Sequence, residues 1–291
     1  MKQFVKFFVL VAVIAPLTFL SCSILQQDDA PGNGRGQVKI HITDAPFPAD
    51  LVEHVLVTID RVGLRNSKGE CSDIEDQEFE CAEGFLLMLD EPVTIDLMLL
   101  RNGLTDLLVD ATIPVGKYDM LRLYVKDAKI VVGEGHEYTL KVPGGAESGL
   151  KVFLSSPVVV TEEGLAEILV DFDLSRSFIA IGNPKNKHGI KGFIFKPVIR
   201  AVDLNKSGTV KGKVTAEDNT PLVNAGITLY TGEEAVATAV TGEDGEFEIP
   251  GVPQGTYRLV AEMDGYLTGE VTGIKVEKKK TVVKTIRLKK E

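Results

Sequence analysis

The most constraining feature of this sequence is a period-two alternation of apolar and polar residues that recurs in segment after segment. Two clear examples are residues 38–43, VKIHIT, and residues 121–126, LRLYVK. Successive side chains of a strand point to opposite faces, so each such run buries one side and exposes the other. Turn-forming sequences such as Gly182-Asn183-Pro184 separate the runs, and only residues 105–111 are typical of a helical turn. Many short strands with this punctuation predict an all-β sandwich or barrel.

The first 21 residues have the composition of an export signal. Two lysines in the first six residues precede an uninterrupted apolar run over residues 7–15, which is too short for a membrane span. Ser21-Cys22 then resembles the end of a bacterial lipobox, in which a small residue precedes a Cys that is lipidated and becomes the new N-terminus. We therefore predict a lipoprotein signal peptide over residues 1–21 and lipidation of Cys22. The alternative is an ordinary signal peptide with a Cys there by chance.

Residues 22–36 are polar and rich in glycine, and such a segment cannot bury a core, so it is expected to be a flexible tether. No later segment has the length and apolarity of a transmembrane helix, so the lipid would be the membrane anchor. This arrangement predicts a protein of the bacterial cell envelope, specifically an outer-membrane lipoprotein.

Two cysteines remain once the leader is removed, Cys71 and Cys81. In an exported protein an isolated pair with this short spacing predicts one disulfide. The loop that the pair would close is strongly acidic, with seven Asp and Glu residues in positions 70–83. A solvated loop tip and a site for calcium or a cationic partner are the two interpretations. The second lacks the residue order of a known calcium loop.

Several separated motifs between residues 36 and 203 resemble the family called domain of unknown function 4382. They include Thr43-Asp44-Ala45-Pro46, Ile113–Tyr118, Val170–Asp173 and Lys196–Arg200. The resemblance implies an exported bacterial all-β domain, which we place at residues 37–204. It implies no catalytic residues, because none are generally assigned in that family.

Residues 208–291 contain seven strand-like runs and form a second predicted domain. The stretches Gly242–Ile249, Gly255-Thr256-Tyr257 and Gly265-Tyr266 resemble the carboxypeptidase regulatory-like domain, a transthyretin-like sandwich with a carbohydrate-binding-like fold. The predicted fold class is therefore all-β, with two tandem antiparallel β-sandwich domains, immunoglobulin-like or transthyretin-like, after a signal peptide.

Three aspartates are candidate metal ligands. Asp171 and Asp173 share one face of a predicted strand and flank the inward-facing Phe172. With Asp44 they could gather hard oxygen ligands, whereas an exposed or turn-capping pair is the alternative.

The sequence contains neither the Gly-x-Ser-x-Gly motif of α/β-hydrolases nor the His-Glu-x-x-His motif of zinc metalloproteases. It also contains no glycine-rich phosphate-binding loop before a helix. Its four histidines are expected to be scattered surface residues: His41, His54, His136 and His188. We therefore predict no enzymatic activity and no cofactor.

A binding role is left by this elimination. The formal net charge of −10 offers no broad basic face for nucleic acid. Sugar-binding sandwiches stack saccharide rings on exposed aromatic side chains, and Tyr124, Tyr230 and Tyr266 are the candidates here. Three hypotheses follow: a binding or adhesion protein that contacts an envelope protein, a glycan-binding accessory lipoprotein, and a structural spacer of the cell surface.

Overall fold

The protein is described here from a computed structural model, which covers residues 34–45, 52–69, 79–89, 91–133, 135–183 and 189–291. The predicted signal peptide, Cys22, most of the tether, Cys71, His188 and most of the acidic loop lie outside the described residues, so the predictions made for them stay predictions. Residues 33–291 form one compact unit. None of the described helices is long and apolar enough to cross a membrane.

The described residues are dominated by β-strands. The strands that precede residue 204 are β1 (Arg35–Ala45), β2 (Val52–Asn66), β3 (Cys81–Ala82), β4 (Phe85–Met88), β5 (Val93–Asp96), β6 (Asp106–Pro114), β7 (Gly116–Val132), β8 (His136–Thr139), β9 (Leu150–Val160), β10 (Leu165–Asp173), β11 (Phe178–Gly182), β12 (Ile190–Phe195) and β13 (Ile199–Asp203). The strands that follow are β14 (Ser207–Ala216), β15 (Gly226–Thr231), β16 (Glu234–Val240), β17 (Glu246–Pro253), β18 (Gly255–Glu262), β19 (Gly269–Val276) and β20 (Thr281–Leu288). The helices are single turns, α1 (Gly145–Ser148) and α2 (Leu174–Ser177), with 3₁₀ turns at Leu97–Leu99 and Leu204–Lys206.

The N-terminal β part folds one long sheet around one core. The strand order is β3-β4-β2-β7-β9-β13-β10-β1-β6, with β5 added to β2 and β8 added to β7. A single pair, Ala201 with Leu154, joins its two halves through β13 and β9. Apolar side chains from both halves, among them Ile40, Tyr118 and Phe172, pack into one cluster. The predicted all-β class is confirmed. The sheet is not purely antiparallel as predicted, because β1 runs parallel to β10.

The expectation of a helical turn over residues 105–111 is wrong. Residues 106–114 form strand β6, which pairs antiparallel with β1 and places Val109 opposite Ile40. A helix of one or two turns is marginal by itself, whereas a strand at this position gains the backbone hydrogen bonds of the β1 edge and buries Leu108, Val109 and Ile113.

The C-terminal β part is a two-layer sandwich. A three-stranded sheet, β17-β14-β20, packs on a four-stranded sheet, β16-β15-β18-β19, around a second apolar cluster that includes Val210, Leu229 and Leu259. The seven strand-like runs predicted from the sequence correspond to β14–β20. The tight turn before β17 closes with a hydrogen bond of 2.9 Å from the amide of Gly245 to the carbonyl oxygen of Gly242. Gly245 has a φ of +74°, which favours glycine.

Candidate functional site

The three candidate aspartates lie near one another where β1 and β10 end side by side. The parallel register pairs Asp44 with Phe172, so alternation assigns Asp44 to the face of Phe172 and assigns Asp171 and Asp173 to the opposite face. All three aspartates are buried, with 4–5% of each residue exposed. Of the alternative of an exposed or turn-capping pair, the exposed part does not hold, because the C-terminal β part covers this end of the sheet.

Asp171 pairs with an arginine that also holds the C-terminal β part. Arg200, on the adjacent strand β13, donates from Nε to Asp171 Oδ2 at 2.7 Å. The same guanidinium donates to the carbonyl oxygens of Gly251 at 2.8 Å and Pro250 at 3.1 Å, both on β17. This ion pair therefore links the two β parts, and it leaves Asp171 Oδ1 without a hydrogen-bond partner among the described residues.

Asp173 caps helix α2, as the turn-capping alternative predicts. Its Oδ1 accepts hydrogen bonds from the amide of Arg176 at 3.0 Å and from Ser175 Oγ at 2.6 Å. Its Oδ2 accepts from Arg176 Nε at 2.6 Å and from Thr238 Oγ1, on β16, at 3.3 Å. Arg176 also donates to the carbonyl oxygen of Ala235 at 3.0 Å. Asp173 is thus a second link between the two β parts.

Neither carboxyl oxygen of Asp44 has a partner with full hydrogen-bond geometry among the described residues, and the backbone amide of Leu174 makes only a weak contact with it. Burial raises the pKa of this carboxyl well above its usual range, and the charges of Asp171 and Asp173 raise it further. The backbone of Leu174 and the charge of Arg101 offset this increase only in part. Burial at this position therefore makes the charged form of Asp44 costlier than it is in water.

This junction uses its carboxylates mainly to bind arginine. Asp171 and Asp173 each accept a guanidinium, and within the described ranges no group of three or more His, Cys, Asp and Glu side chains is arranged to hold a metal ion. The described histidines lie apart from the junction: His54 bonds Asp96 at 2.6 Å, and His41 lies 3.7 Å from Glu167.

Tyr124 is not the surface ring that the alternation predicts. It is buried in a small second cluster with Phe85, Leu87 and Met120 on the outer face of β7. The guanidinium of Arg61 lies 4.5 Å from its ring centre. Period-two alternation assumes one solvated face, and here apolar side chains of β4 and β7 pack together on that face.

The other two tyrosines are half-buried. The ring of Tyr230 carries the guanidinium of Arg258 at 4.4 Å from its centre. Tyr266 packs against the core of the C-terminal β part, and its backbone bridges to Lys290. The structure therefore does not bring the three candidate tyrosines together into one platform.

A cavity of about 340 Å³ lies between β4 and β6, near the two ends of the long sheet, and sequence reasoning missed it. Its lining includes the apolar side chains of Met88 and Leu108 together with Phe79, Arg61 and Asp110, and the exposed lining is more polar than apolar. Phe79 is the one aromatic residue in the acidic segment 70–83, and that isolated ring is the signal that could have identified the site. The guanidinium of Arg35 lies 5.8 Å from the centre of the Phe79 ring.

A second cavity of about 420 Å³ lies between the two β parts. Its lining is mostly polar and includes Ser155, Ser156, Lys206, Gln254 and Lys278. No aromatic side chain is part of that lining.

Two family models match the sequence. The model described as "Domain of unknown function (DUF4382)" matches residues 35–197, and the model described as "Carboxypeptidase regulatory-like domain" matches residues 209–289. No curated protein matches.

Solved structures show low similarity. The Bacillus anthracis TIE protein is 13% identical over 88% of this chain and 35% of its own, with a TM-score of 0.27. A type II cohesin–X-dockerin complex from Acetivibrio cellulolyticus is 31% identical over 28% of this chain and 56% of its own, with a TM-score of 0.23. The shaft pilin SpaA from Lactobacillus rhamnosus GG is 9% identical over 89% of this chain and 98% of its own, with a TM-score of 0.26. The chain spans about a third of the length of the first of these proteins and just over half of the length of the second. TM-scores this low support no structural conclusion.

Proposed function

This chain belongs to the DUF4382 family, with a carboxypeptidase regulatory-like domain after it, and we propose that it is an exported, lipid-anchored cell-envelope protein that binds a partner without catalysing a reaction. The export signal and Cys22 support the location. The description of the second family as regulatory-like supports a non-catalytic role for that domain.

The observation that carries the binding role is the cavity between β4 and β6. Its lining combines apolar side chains with an arginine, a glutamate and an aspartate, so a bound ligand could both pack and form hydrogen bonds there. Its volume of about 340 Å³ lies within the usual range of small-molecule sites. The buried aspartates, in contrast, hold the two β parts together and are closed off from solvent.

A saccharide is the second candidate ligand, because one ring and several hydrogen-bonding groups meet at this cavity. Phe79 offers a ring face on which the apolar side of a sugar can stack, while Arg61, Glu80 and Asp110 can bond its hydroxyl groups. The carbohydrate-binding-like fold that the sequence resembles lies in the other β part, so this proposal rests on the cavity itself.

Two binding experiments with one variant pair test the cavity. The chain is screened on a broad glycan array and used for pull-down from the native envelope, each with Phe79→Ala and with Phe153→Ala as the matched control. Phe153 lies on β9, 68% exposed and outside the cavity. A ligand of the cavity is lost in Phe79→Ala and retained in Phe153→Ala. Equal binding by both variants would contradict the proposal, and array hits without pull-down partners would favour the saccharide.

A structural spacer is the remaining alternative, and the links through Arg200 and Arg176 favour it because they join the two β parts into one unit. If the protein is only a spacer, we expect the pull-down to find no specific partner. The anchor is tested separately by metabolic labelling with fatty acid, where the wild-type chain is labelled and Cys22→Ser is not. A chain that remains in the cytosol with an uncut leader would contradict the envelope location.

A further inference from the structure

The two-stranded sheet of β11 and β12 has an apolar face that the described residues leave open. The strands pair antiparallel, with Ile179 opposite Ile194. Ile179 is 50% exposed, and Ile181 and Ile194 are each 44% exposed. Solvent faces of antiparallel sheets are normally polar, and a group of exposed apolar side chains on one face marks an interaction surface.

The opposite face of this hairpin is firmly packed. Phe178 and Phe195 stack with their ring centres 4.9 Å apart, and both are buried in the main core. Phe193 meets the ring of Tyr138 edge-on at 5.5 Å, and the hydroxyl of Tyr138 donates to the carbonyl oxygen of Ile190 at 2.9 Å. The register that buries the phenylalanines necessarily directs the isoleucines outward.

Positive charge surrounds the apolar face. Lys191 and Lys196 are exposed, and neither forms an ion pair with an acidic side chain of the described ranges. The described residues of this hairpin, 178–183 and 189–196, contain these two lysines and no Asp or Glu, in a chain whose net charge is −10. Apolar side chains flanked by lysines match the boundary of an anionic bilayer, where the apolar groups enter below the headgroups and the ammonium groups contact phosphates.

We propose that the β11–β12 hairpin is a contact site for an anionic phospholipid surface. Ile179, Ile181 and Ile194 enter the headgroup boundary, and Lys191 and Lys196 bind lipid phosphates. A second copy of the chain fits this face less well, since pairing two hairpins would bring their lysines together. This inference goes beyond the proposed function, because it places lipid contact on the folded part of the chain, separate from Cys22.

Hydrogen exchange followed by mass spectrometry on the full-length chain reads this segment directly. Vesicles of phosphatidylcholine with phosphatidylglycerol should slow the exchange of the amides of β11 and β12 by about tenfold or more, whereas vesicles of phosphatidylcholine alone should not. The segment 97–107 is the internal control, because it exposes Leu99, Leu104 and Leu107 beside Asp106 and not beside lysines. Its exchange should not change.

Matched variants separate the apolar and the electrostatic contributions. Ile179→Ser with Ile194→Ser should abolish the protection, while Leu104→Ser with Leu107→Ser should leave it intact. Lys191→Gln with Lys196→Gln should weaken the affinity for anionic vesicles by about fivefold for each lysine.

Three results would overturn the proposal. The first is equal protection on neutral and anionic vesicles, and the second is protection that survives the isoleucine variant. The third is protection that grows with protein concentration in the absence of vesicles, which would assign the face to a second copy. If a variant fails to fold, hydrogen exchange of the wild-type chain on neutral and on anionic vesicles still tests whether the hairpin binds an anionic surface. Fatty-acid labelling at Cys22 has an independent outcome, so the anchor and the hairpin can fail separately.

Discussion

Arg200→Met should destabilise the protein strongly, because it removes the one hydrogen-bonding partner of a buried carboxylate. Asp171 would then be buried with neither oxygen bonded, and the carbonyl oxygens of Gly251 and Pro250 would each lose a donor. Removing one partner of a buried ion pair typically costs about 3–5 kcal/mol. The Arg200 side chain is 21% exposed, and partial access of water favours the lower end, about 3 kcal/mol. Urea unfolding of the wild type and the variant measures this difference in the free energy of unfolding.

Two further variants decide whether the buried charge is the cause. Asp171→Asn with Arg200→Met should be more stable than Arg200→Met alone, because the double variant leaves no uncompensated charge. Arg258→Met is the control, since its partners Glu233 and Glu270 are exposed and surface pairs contribute little. The reasoning is refuted if Arg200→Met costs no more than Arg258→Met, or if the double variant is as unstable as the single one.

Three other predictions concern a buried carboxyl group, a glycine at the junction of the two β parts, and the cysteine pair. The pKa of Asp44 is raised in the folded state, so wild-type stability should fall as the pH rises from about 4 through the raised pKa, by at most about 1.4 kcal/mol per pH unit. Asp44→Asn should remove this fall in urea unfolding between pH 4 and pH 8, and identical profiles would contradict it. Gly251→Ala should lower the free energy of unfolding by about 1–3 kcal/mol, because φ is +63° and the new methyl would lie 2.7 Å from a core side chain. Gly273→Ala, at a φ of +68° with open space around it, should cost less. Thiol titration of the unfolded, exported chain should find Cys71 and Cys81 unreactive until a reductant is added, and free thiols would disprove that bridge.

Local sequence pattern predicted the strands well wherever one face packs on a core and the other meets solvent. In β1, Val38, Ile40 and Ile42 are buried as the alternation predicts, and β14–β20 account for the seven runs of the C-terminal part. The same reasoning failed at Tyr124, because a second small cluster covers the outer face of β7. It also failed over residues 105–111, where pairing with β1 outweighed a weak local preference for a helical turn.

The candidate site was less predictable, because it depends on groups that come from distant parts of the chain. The sequence placed Asp171 and Asp173 correctly on one strand face, and the capping role of Asp173 is a local motif that a reader of the sequence can anticipate. Nothing near Asp171 in the sequence indicates Arg200, which follows it 29 residues later. The cavity at Phe79 likewise requires β4 and β6 to meet, and those strands lie at opposite ends of the sheet order.

The amino-acid sequence by itself determined the all-β class and the two family resemblances, because strand periodicity and turn chemistry are written in neighbouring residues. It also contains the apolar N-terminal segment and the cysteine from which the leader and the proposed location are predicted. Only the tertiary structure decided which polar strand faces stay in water. Asp171 and Asp173 became buried links because arginines and backbone carbonyls from other strands meet them there. Ile179 and Ile194 stayed exposed because the phenylalanines of the same hairpin took the core. Burial is a property of the assembled sheets, and alternation along one strand cannot specify what will cover each of its two faces.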